Sequence, residues 1–166
     1  ASSWNTGNYH NEFANAGNGS QVFTTQHAAF MEMVSAMAGI CEEVADGKME
    51  DPLVSQNAML EESPFAKNSI IDFTNNIKSV ENVYLGKYIT QGQSLERFVR
   101  ANNLSLDGAI KTKISTAITA LGNITVPFGE AIFTQQTQVI NAQNAIRDLK
   151  NIIENDLANL VSQKIN

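Results

Sequence analysis

Two histidines, one cysteine and a pair of adjacent glutamates are the residues of this chain with the most versatile chemistry. His27 and Cys41 fall in one apolar stripe, which favours a buried structural thiol and a core histidine with a hydroxyl or carbonyl partner. A role of His27 as a ligand or an acid–base group stays open. His10 lies in an irregular, Asn- and Gly-rich stretch and is interpreted as exposed. For Glu61 and Glu62, a solvated pair is favoured over a metal site.

None of the common catalytic motifs occurs in the sequence. It contains no H-E-x-x-H, no G-x-S-x-G, no Walker loop and no glycine-rich dinucleotide-binding turn. A zinc peptidase needs three protein ligands and a base, which two isolated histidines do not supply. No catalytic residue is therefore assigned, and the metal ligands, if any, stay unknown.

One predicted helix, residues 69–86, carries the most distinctive polar face. Ser69 and Asp72 have the spacing of a capping box, and Gly86 suits a left-handed C-cap. Apolar residues recur three and four positions apart, which predicts a buried stripe of Ile70, Phe73, Ile77, Val80 and Tyr84. Asparagine is a poor helix former, so the pair of asparagines on the opposite face is expected to make hydrogen bonds.

This polar face and the turn before it form the predicted binding site. Carboxylates, amides and hydroxyls gather there, and they would suit a polar ligand or a hard cation. Helix capping and hydrogen bonding to loop backbone are the structural alternatives for the same side chains. The predicted ligand-binding residues are Glu62, Ser63, Asn68, Asp72, Asn75, Asn76 and Ser79.

The same stretch resembles a family motif. Residues 61–86, EESPFAKNSIIDFTNNIKSVENVYLG, are similar to the E-S-x-F…N-S-x-x-D-F-x-N-N-I-x-S-V-x-N-V-Y-x-G block of the imelysin-like proteins, bacterial proteins first named for an insulin-cleaving membrane protease. The run Glu43-Val44-Ala45 followed by Gly47-Lys48 resembles their E-V-A-N-G-K turn. The resemblance covers residues 30–163, but only the C-terminal half of the family. The family's G-x-H-x-x-E motif, which lies in the N-terminal half, is absent.

The resemblance implies a fold and a set of partners. It implies one half of a two-bundle, all-α protein of the bacterial cell envelope, in the periplasm or as an outer-membrane lipoprotein, that takes part in iron uptake. A ligand or a metal, iron or zinc, would then bind between this chain and the N-terminal half of the same protein, and other iron-uptake components would be further partners. Two alternatives stay open: part of a metallopeptidase with its catalytic His and Glu in the other half, or a helical interaction module.

Composition limits the classes of binding partner and indicates how the chain is divided into segments. The formal net charge is −6 with 43% hydrophobic residues, which argues against nucleic acid or an anionic membrane surface as a partner. No apolar run reaches the roughly 18 residues needed to span a bilayer. Because the chain begins at Ala1 rather than at methionine, a processed or truncated product is expected. Residues 1–21 are predicted to be an irregular segment with docked aromatics, and residues 22–166 an antiparallel helical bundle.

Hydrophobic periodicity predicts the remaining elements. A helix is expected from Phe23 to about Asp46, followed by a packed loop over residues 47–68. Further helices are predicted at residues 95–101 and 106–121, and a long final helix at residues 128–160 with a glutamine-rich centre that faces polar groups. Residues 123–126 are the one candidate strand.

Overall fold

Helices dominate the computed structural model, which describes residue 4, residues 6–88 and residues 90–165. Two π-helices, Glu43–Met49 and Ile152–Leu157, continue the α-helices that end at Glu42 and Asn151. Ala58–Leu60 is a 3-10 helix. Strands β1 (Lys87–Tyr88) and β2 (Thr90–Gln91) form a short antiparallel pair. The α-helices are α1 (Tyr9–Ala14), α2 (Gln26–Glu42), α3 (Glu50–Ser55), α4 (Ser69–Leu85), α5 (Leu95–Asn102), α6 (Leu104–Gly122), α7 (Phe128–Thr134), α8 (Gln136–Asn151) and α9 (Ala158–Lys164). The predicted all-α class is confirmed.

Contacts between distant residues show that packed helices run antiparallel. His27, at the start of α2, contacts Ser162 in α9. Asp46, in the π-helix that follows α2, pairs with Arg147 in α8. Partner numbers fall as residue numbers rise, so the first long helical segment runs opposite to the last. In the part of the chain that the structure describes, none of the helices combines the length and the hydrophobicity needed to cross a membrane.

Helix α4 buries one face in the core. Of its predicted stripe, four residues are fully buried and Ile70 is half-buried. The Phe73 ring meets the Phe128 ring edge to face, with centroids 5.1 Å apart. Since a helix of this length is marginal alone in water, burial of such side chains, about 1.5–3 kcal/mol each, holds the bundle together.

A buried polar network ties α4 to α5 and α6. The Tyr84 hydroxyl donates to Asp107 Oδ1 at 2.9 Å, and Lys111 Nζ lies 2.9 Å from Asp107 Oδ2 and 2.8 Å from Glu96 Oε1. Burial raises the pKa of Tyr84, and the hydrogen bond to Asp107 adds to that effect. The hydrogen bond to Glu96 is the main cause of a raised pKa at Lys111. Lys111 thus pairs with two buried carboxylates, and Arg100, with Nη1 3.4 Å from Glu96 Oε1, supplies the second positive charge.

A second network connects α8 to the first π-helix. Gln143, in the glutamine-rich region, is buried and donates from Nε2 to the Ala45 carbonyl at 3.0 Å and to Glu50 Oε2 at 2.7 Å. Arg147 pairs with Asp46 and Glu50. Hydrogen bonding to Asp46 is the main cause of the raised pKa of Arg147. For Gln143, the predicted polar surroundings are present.

Cys41 and His27, the two potentially reactive residues of the apolar stripe, both have surroundings typical of structural residues. Cys41 is fully buried, and burial raises the pKa of its thiol to about 12. A thiol that stays protonated is a poor nucleophile. His27 is half-buried, with Nε2 3.4 Å from Ser162 Oγ, which is the hydroxyl partner expected for a structural histidine.

The predicted loop over residues 47–68 is wrong in its first half. The helix does not close at Asp46 but continues through the π-helix and α3 to Ser55. Pro52, which has no N–H to donate to the helix, lies three residues after the end of the π-helix. Val44 and Met49, five positions apart, are both fully buried, which the wider π turn allows.

Two predictions near the C-terminus are also wrong. Residues 123–126 form no strand: they are a turn in which Gln135 accepts from the Thr125 N–H at 2.9 Å and donates to Thr125 Oγ1 at 2.7 Å. Gln135 also separates α7 from α8, so the predicted single helix is interrupted there. The backbone of Gln135, at φ −131° and ψ 39°, lies outside the helical region, so α7 and α8 do not join.

The N-terminal segment contains more order than the predicted loop. Helix α1 lies within it, and Phe13 packs on Phe23 with ring centroids 4.3 Å apart. The expected docking of scattered aromatics is therefore present at Phe13. The prediction for Ala1, Ser2 and Ser3 lies outside the described residues, and the proposed boundary at residue 21 remains a prediction.

Candidate functional site

The start of α4 is organised by the loop before it and not by a capping box. Asn68 is the N-cap and makes no side-chain cap bond. Ser69, predicted as the cap, is the first helical residue: its Oγ donates to Glu61 Oε2 at 2.7 Å and accepts from the Ser63 N–H at 3.0 Å. The predicted capping box is wrong because both of its members bond to the preceding loop. Ser69 bonds to Glu61 and Ser63, and Asp72 accepts a hydrogen bond from Ser63.

Asp72 joins three of the predicted site residues into one cluster. Its Oδ2 accepts from Ser63 Oγ at 2.7 Å, and its Oδ1 accepts from Asn68 Nδ2 at 2.8 Å. All three side chains are half-buried at the surface of the bundle. The carboxylate also lies in the first turn of α4, where the helix dipole stabilises negative charge. We call Ser63, Asn68 and Asp72 the polar cluster.

Glu62 lies outside the polar cluster. Its Oε1 is 2.9 Å from Lys48 Nζ, and the same ammonium is 3.3 Å from Glu43 Oε1. Burial alone would lower the pKa of Lys48, but the hydrogen bonds to Glu62 and Glu43 outweigh it and raise that pKa. Glu62 therefore anchors the loop to the first π-helix.

The remaining predicted residues extend along α4 as an open face. Asn75 is exposed, and Asn76 and Ser79 are half-buried. The Ser79 hydroxyl donates to the Asn76 carbonyl at 2.7 Å. Neither asparagine side chain hydrogen-bonds to any residue in the described part of the chain, so neither shows the alternative role of bonding to loop backbone. They remain available to a binding partner or to water.

Glu61 is the residue that sequence reasoning placed wrongly. It is 7% exposed, not solvated, and lines a cleft of about 230 Å³ together with Lys67 and Glu130. Gly129 makes its approach possible, because a Cβ there would lie 2.6 Å from Glu61 Oε1. The burial of Glu61 could not be predicted from Ser69, eight residues later, because their hydrogen bond depends on how the loop between them folds back.

A Gly129→Ala substitution is expected to lower the free energy of unfolding by about 1–3 kcal/mol, the scale of overpacking. The added methyl displaces the Glu61 carboxylate and with it the hydrogen bond to Ser69. Chemical denaturation measures the change. Gly108→Ala, at a helical glycine with open space around it, is the matched control and should stabilise by up to about 1 kcal/mol. Stabilisation by both substitutions would contradict the packing of Glu61 on Gly129.

Within residues 4, 6–88 and 90–165, no three His, Cys, Asp or Glu side chains are grouped so that they could hold a metal ion. The polar cluster supplies one carboxylate, one amide and one hydroxyl. These groups can bind a polar ligand, or can contribute part of an oxygen-rich coordination shell.

Comparison with known proteins identifies the family. The family model described as imelysin, peptidase M75, matches residues 1–154. The chain belongs to the imelysin family. The resemblance seen in residues 61–86 is thereby confirmed, and the imelysin motif E-S-x-F…D-F coincides with the loop and helix start that hold the polar cluster.

Three imelysin relatives place the chain in context. Iron-regulated protein A of Synechococcus elongatus is 27% identical over 158 residues, which are 92% of this chain and 44% of that protein. The crystal structure of an imelysin peptidase from Bacteroides ovatus is 29% identical, with a TM-score of 0.79, over 91% of this chain and 44% of that one. A putative iron-regulated protein A precursor from Parabacteroides distasonis, at 23% identity and a TM-score of 0.83, covers 95% and 47% and shares the fold. The chain thus spans less than half the length of these imelysin proteins.

Proposed function

We propose that this chain is one bundle of an imelysin-type protein of the bacterial cell envelope that takes part in iron uptake. In this proposal, the polar cluster and the open face of α4 bind a ligand or a metal together with the N-terminal half of the same protein. Iron-regulated protein A is the name of the Synechococcus relative, and the Parabacteroides protein is named as a precursor; both names support the assignment.

The observation that carries the proposal is a preorganised polar cluster beside exposed apolar side chains. Phe65, between Ser63 and Asn68, is 89% exposed, and Ile71, next to Asp72, is 57% exposed. Exposed apolar groups of this size next to ordered polar groups are typical of surfaces that another protein segment covers. A companion bundle seated there would enclose the polar cluster and create a pocket.

The donor set favours hard ligands. Each Asp72 oxygen accepts one hydrogen bond from the protein, and an ionised carboxylate has about four acceptor sites in all. Capacity is therefore left for a cation or for a donor group of a ligand. Iron, with oxygen ligands, fits this chemistry best, and zinc is the other metal to test.

An Asn76→Leu substitution is expected to weaken iron binding by about tenfold or more while the melting temperature stays nearly unchanged, because the amide faces the proposed ligand and not the core. The measurement is equilibrium dialysis against ferrous iron, ferric iron and zinc, on a protein that contains both halves. Asn144→Leu, at an exposed asparagine of α8, is the matched control. Unchanged metal binding with a lower melting temperature would assign Asn76 a structural role instead.

A metallopeptidase is the second candidate, favoured by the name of the Bacteroides ovatus relative. The same two-half protein separates the candidates. Stoichiometric zinc, with proteolysis that is lost on chelation, would support the peptidase. Iron binding without proteolysis would support uptake.

A further inference from the structure

A large aromatic cleft lies between α1 and α2, away from the polar cluster. Its volume is about 940 Å³, within the range of pockets that hold small organic molecules. Rings of Trp4, Tyr9, Phe13 and Phe30 line it. None of these residues belongs to the site proposed for α4, so an inference about this cleft does not depend on that site.

The ring wall of the cleft is held in place by direct contacts. Trp4 packs edge to face on Tyr9, with centroids 6.2 Å apart, and lies 5.9 Å from the Phe13 ring. Tyr9 and Phe13 are themselves edge to face at 5.3 Å. Such pairs contribute about 0.5–1.5 kcal/mol each beyond burial, so the faces left open to the cleft are preorganised.

The Glu12 carboxylate holds the loop that connects α1 to α2 by hydrogen bonds. Glu12 Oε2 accepts from Ser20 Oγ at 2.6 Å, from the Gln21 N–H at 2.7 Å and from the Val22 N–H at 3.1 Å. The hydrogen bond from Ser20 is the main cause of the lowered pKa of Glu12. This loop fixes α1 against the start of α2 and thus sets the width of the cleft.

Among the described residues that line the cleft, Glu32 is the one carboxylate, and the Arg97 guanidinium hydrogen-bonds to another lining residue, Gln93, at 3.2 Å. Glu32 on α2 is exposed at the lining, and it makes no ion pair or hydrogen bond with any residue that the structure describes. No lysine or arginine is among the described lining residues, and the other titratable groups there are Tyr9 and His10. A carboxylate beside aromatic faces attracts cations and repels anions.

We propose that this cleft binds an organic cation, an apolar or aromatic body that carries one ammonium group. The body packs against the rings of Tyr9 and Phe13, and the ammonium pairs with Glu32. The ion pair with Glu32 selects the charge of the ligand, while the volume of about 940 Å³ accepts a molecule of ordinary metabolite size.

The test uses three small probes that share a phenylethyl body and differ in charge: phenethylamine, 2-phenylethanol and 3-phenylpropionate. Trp4 is the only tryptophan of the chain, so its fluorescence reports directly on the cleft. Titrations of the 166-residue chain are made in slightly alkaline buffer, in which imidazole groups are generally neutral. We expect saturable binding, strongest for the amine, weaker for the alcohol and weakest for the carboxylate.

Glu32→Gln should reduce affinity for the amine by roughly tenfold, to that of the alcohol, and leave the alcohol unchanged. Asp51→Asn removes the same charge from an exposed position outside the cleft and should leave all three affinities unchanged. Equal affinity for amine and carboxylate, an amine preference that survives Glu32→Gln, or no saturable change with any probe would each overturn the proposal.

Discussion

Replacing Phe73 with alanine is expected to lower the free energy of unfolding by about 3–5 kcal/mol. The ring is fully buried and meets Phe128 edge to face, so its removal leaves a cavity in the middle of the bundle and also loses the ring contact. Domains of this size have only about 5–15 kcal/mol of stability in total. The loss should be visible in urea denaturation as a large shift of the midpoint.

Ile71→Ala, on the same helix and two residues away, is the matched control. Its side chain is 57% exposed, and alanine is the better helix former, so the change should stay within about 0.5 kcal/mol. A Phe73→Ala protein as stable as the Ile71→Ala protein would mean that α4 does not pack as described.

The second large effect is expected for Asp107→Ala, at about 2–4 kcal/mol of lost stability. The substitution leaves the buried Tyr84 hydroxyl without its acceptor and removes one of the two carboxylates with which Lys111 pairs. Because the Lys111 side chain is 41% exposed, water solvates it once Asp107 is removed, and most of the loss comes from the Tyr84 hydroxyl. Thermal and chemical unfolding measure the loss.

Tyr84→Phe tests the same network from the other side. It removes only the hydroxyl and leaves Asp107 bonded to Lys111, so it should cost about 1 kcal/mol. If the aspartate substitution costs no more than this phenylalanine substitution, then the carboxylate is not part of a buried network.

The fold was predictable where periodicity alone decides it. The stripe from Phe73 to Tyr84 keeps one regular spacing, and each of its members that the pattern predicted as core is buried in the bundle. The position of an apolar stripe can be determined locally, since residues within a few turns define one face of a helix. The bundle class followed from it.

The π-helices were not predictable in this way. A pattern search assumes about 3.6 residues per turn, and the wider turn between Val44 and Met49 breaks that assumption. The bond that Gln143 donates to the Ala45 carbonyl joins residues 98 positions apart. A local sequence pattern does not show a partner at this distance, so the continuation of the helix to α3 was interpreted as a loop.

The candidate site was predicted in its residue types better than in its connections. Ser63, Asn68 and Asp72 come together, but their hydrogen bonds depend on the turn before α4. Glu61 was misplaced for the same reason: an adjacent pair of glutamates looks solvated, and only the folded chain shows that one of them lies under Gly129.

The contact between His27 and Ser162 has a consequence for how the protein is made. The two residues are 135 positions apart, so this contact forms only after residue 162 has been synthesised, whereas the contacts of α2 with α4 can form earlier. Until then, the part of α2 that packs on α8 and α9 is uncovered. Transiently exposed apolar surface of this kind promotes aggregation, so refolding of the unfolded chain is expected to be sensitive to protein concentration.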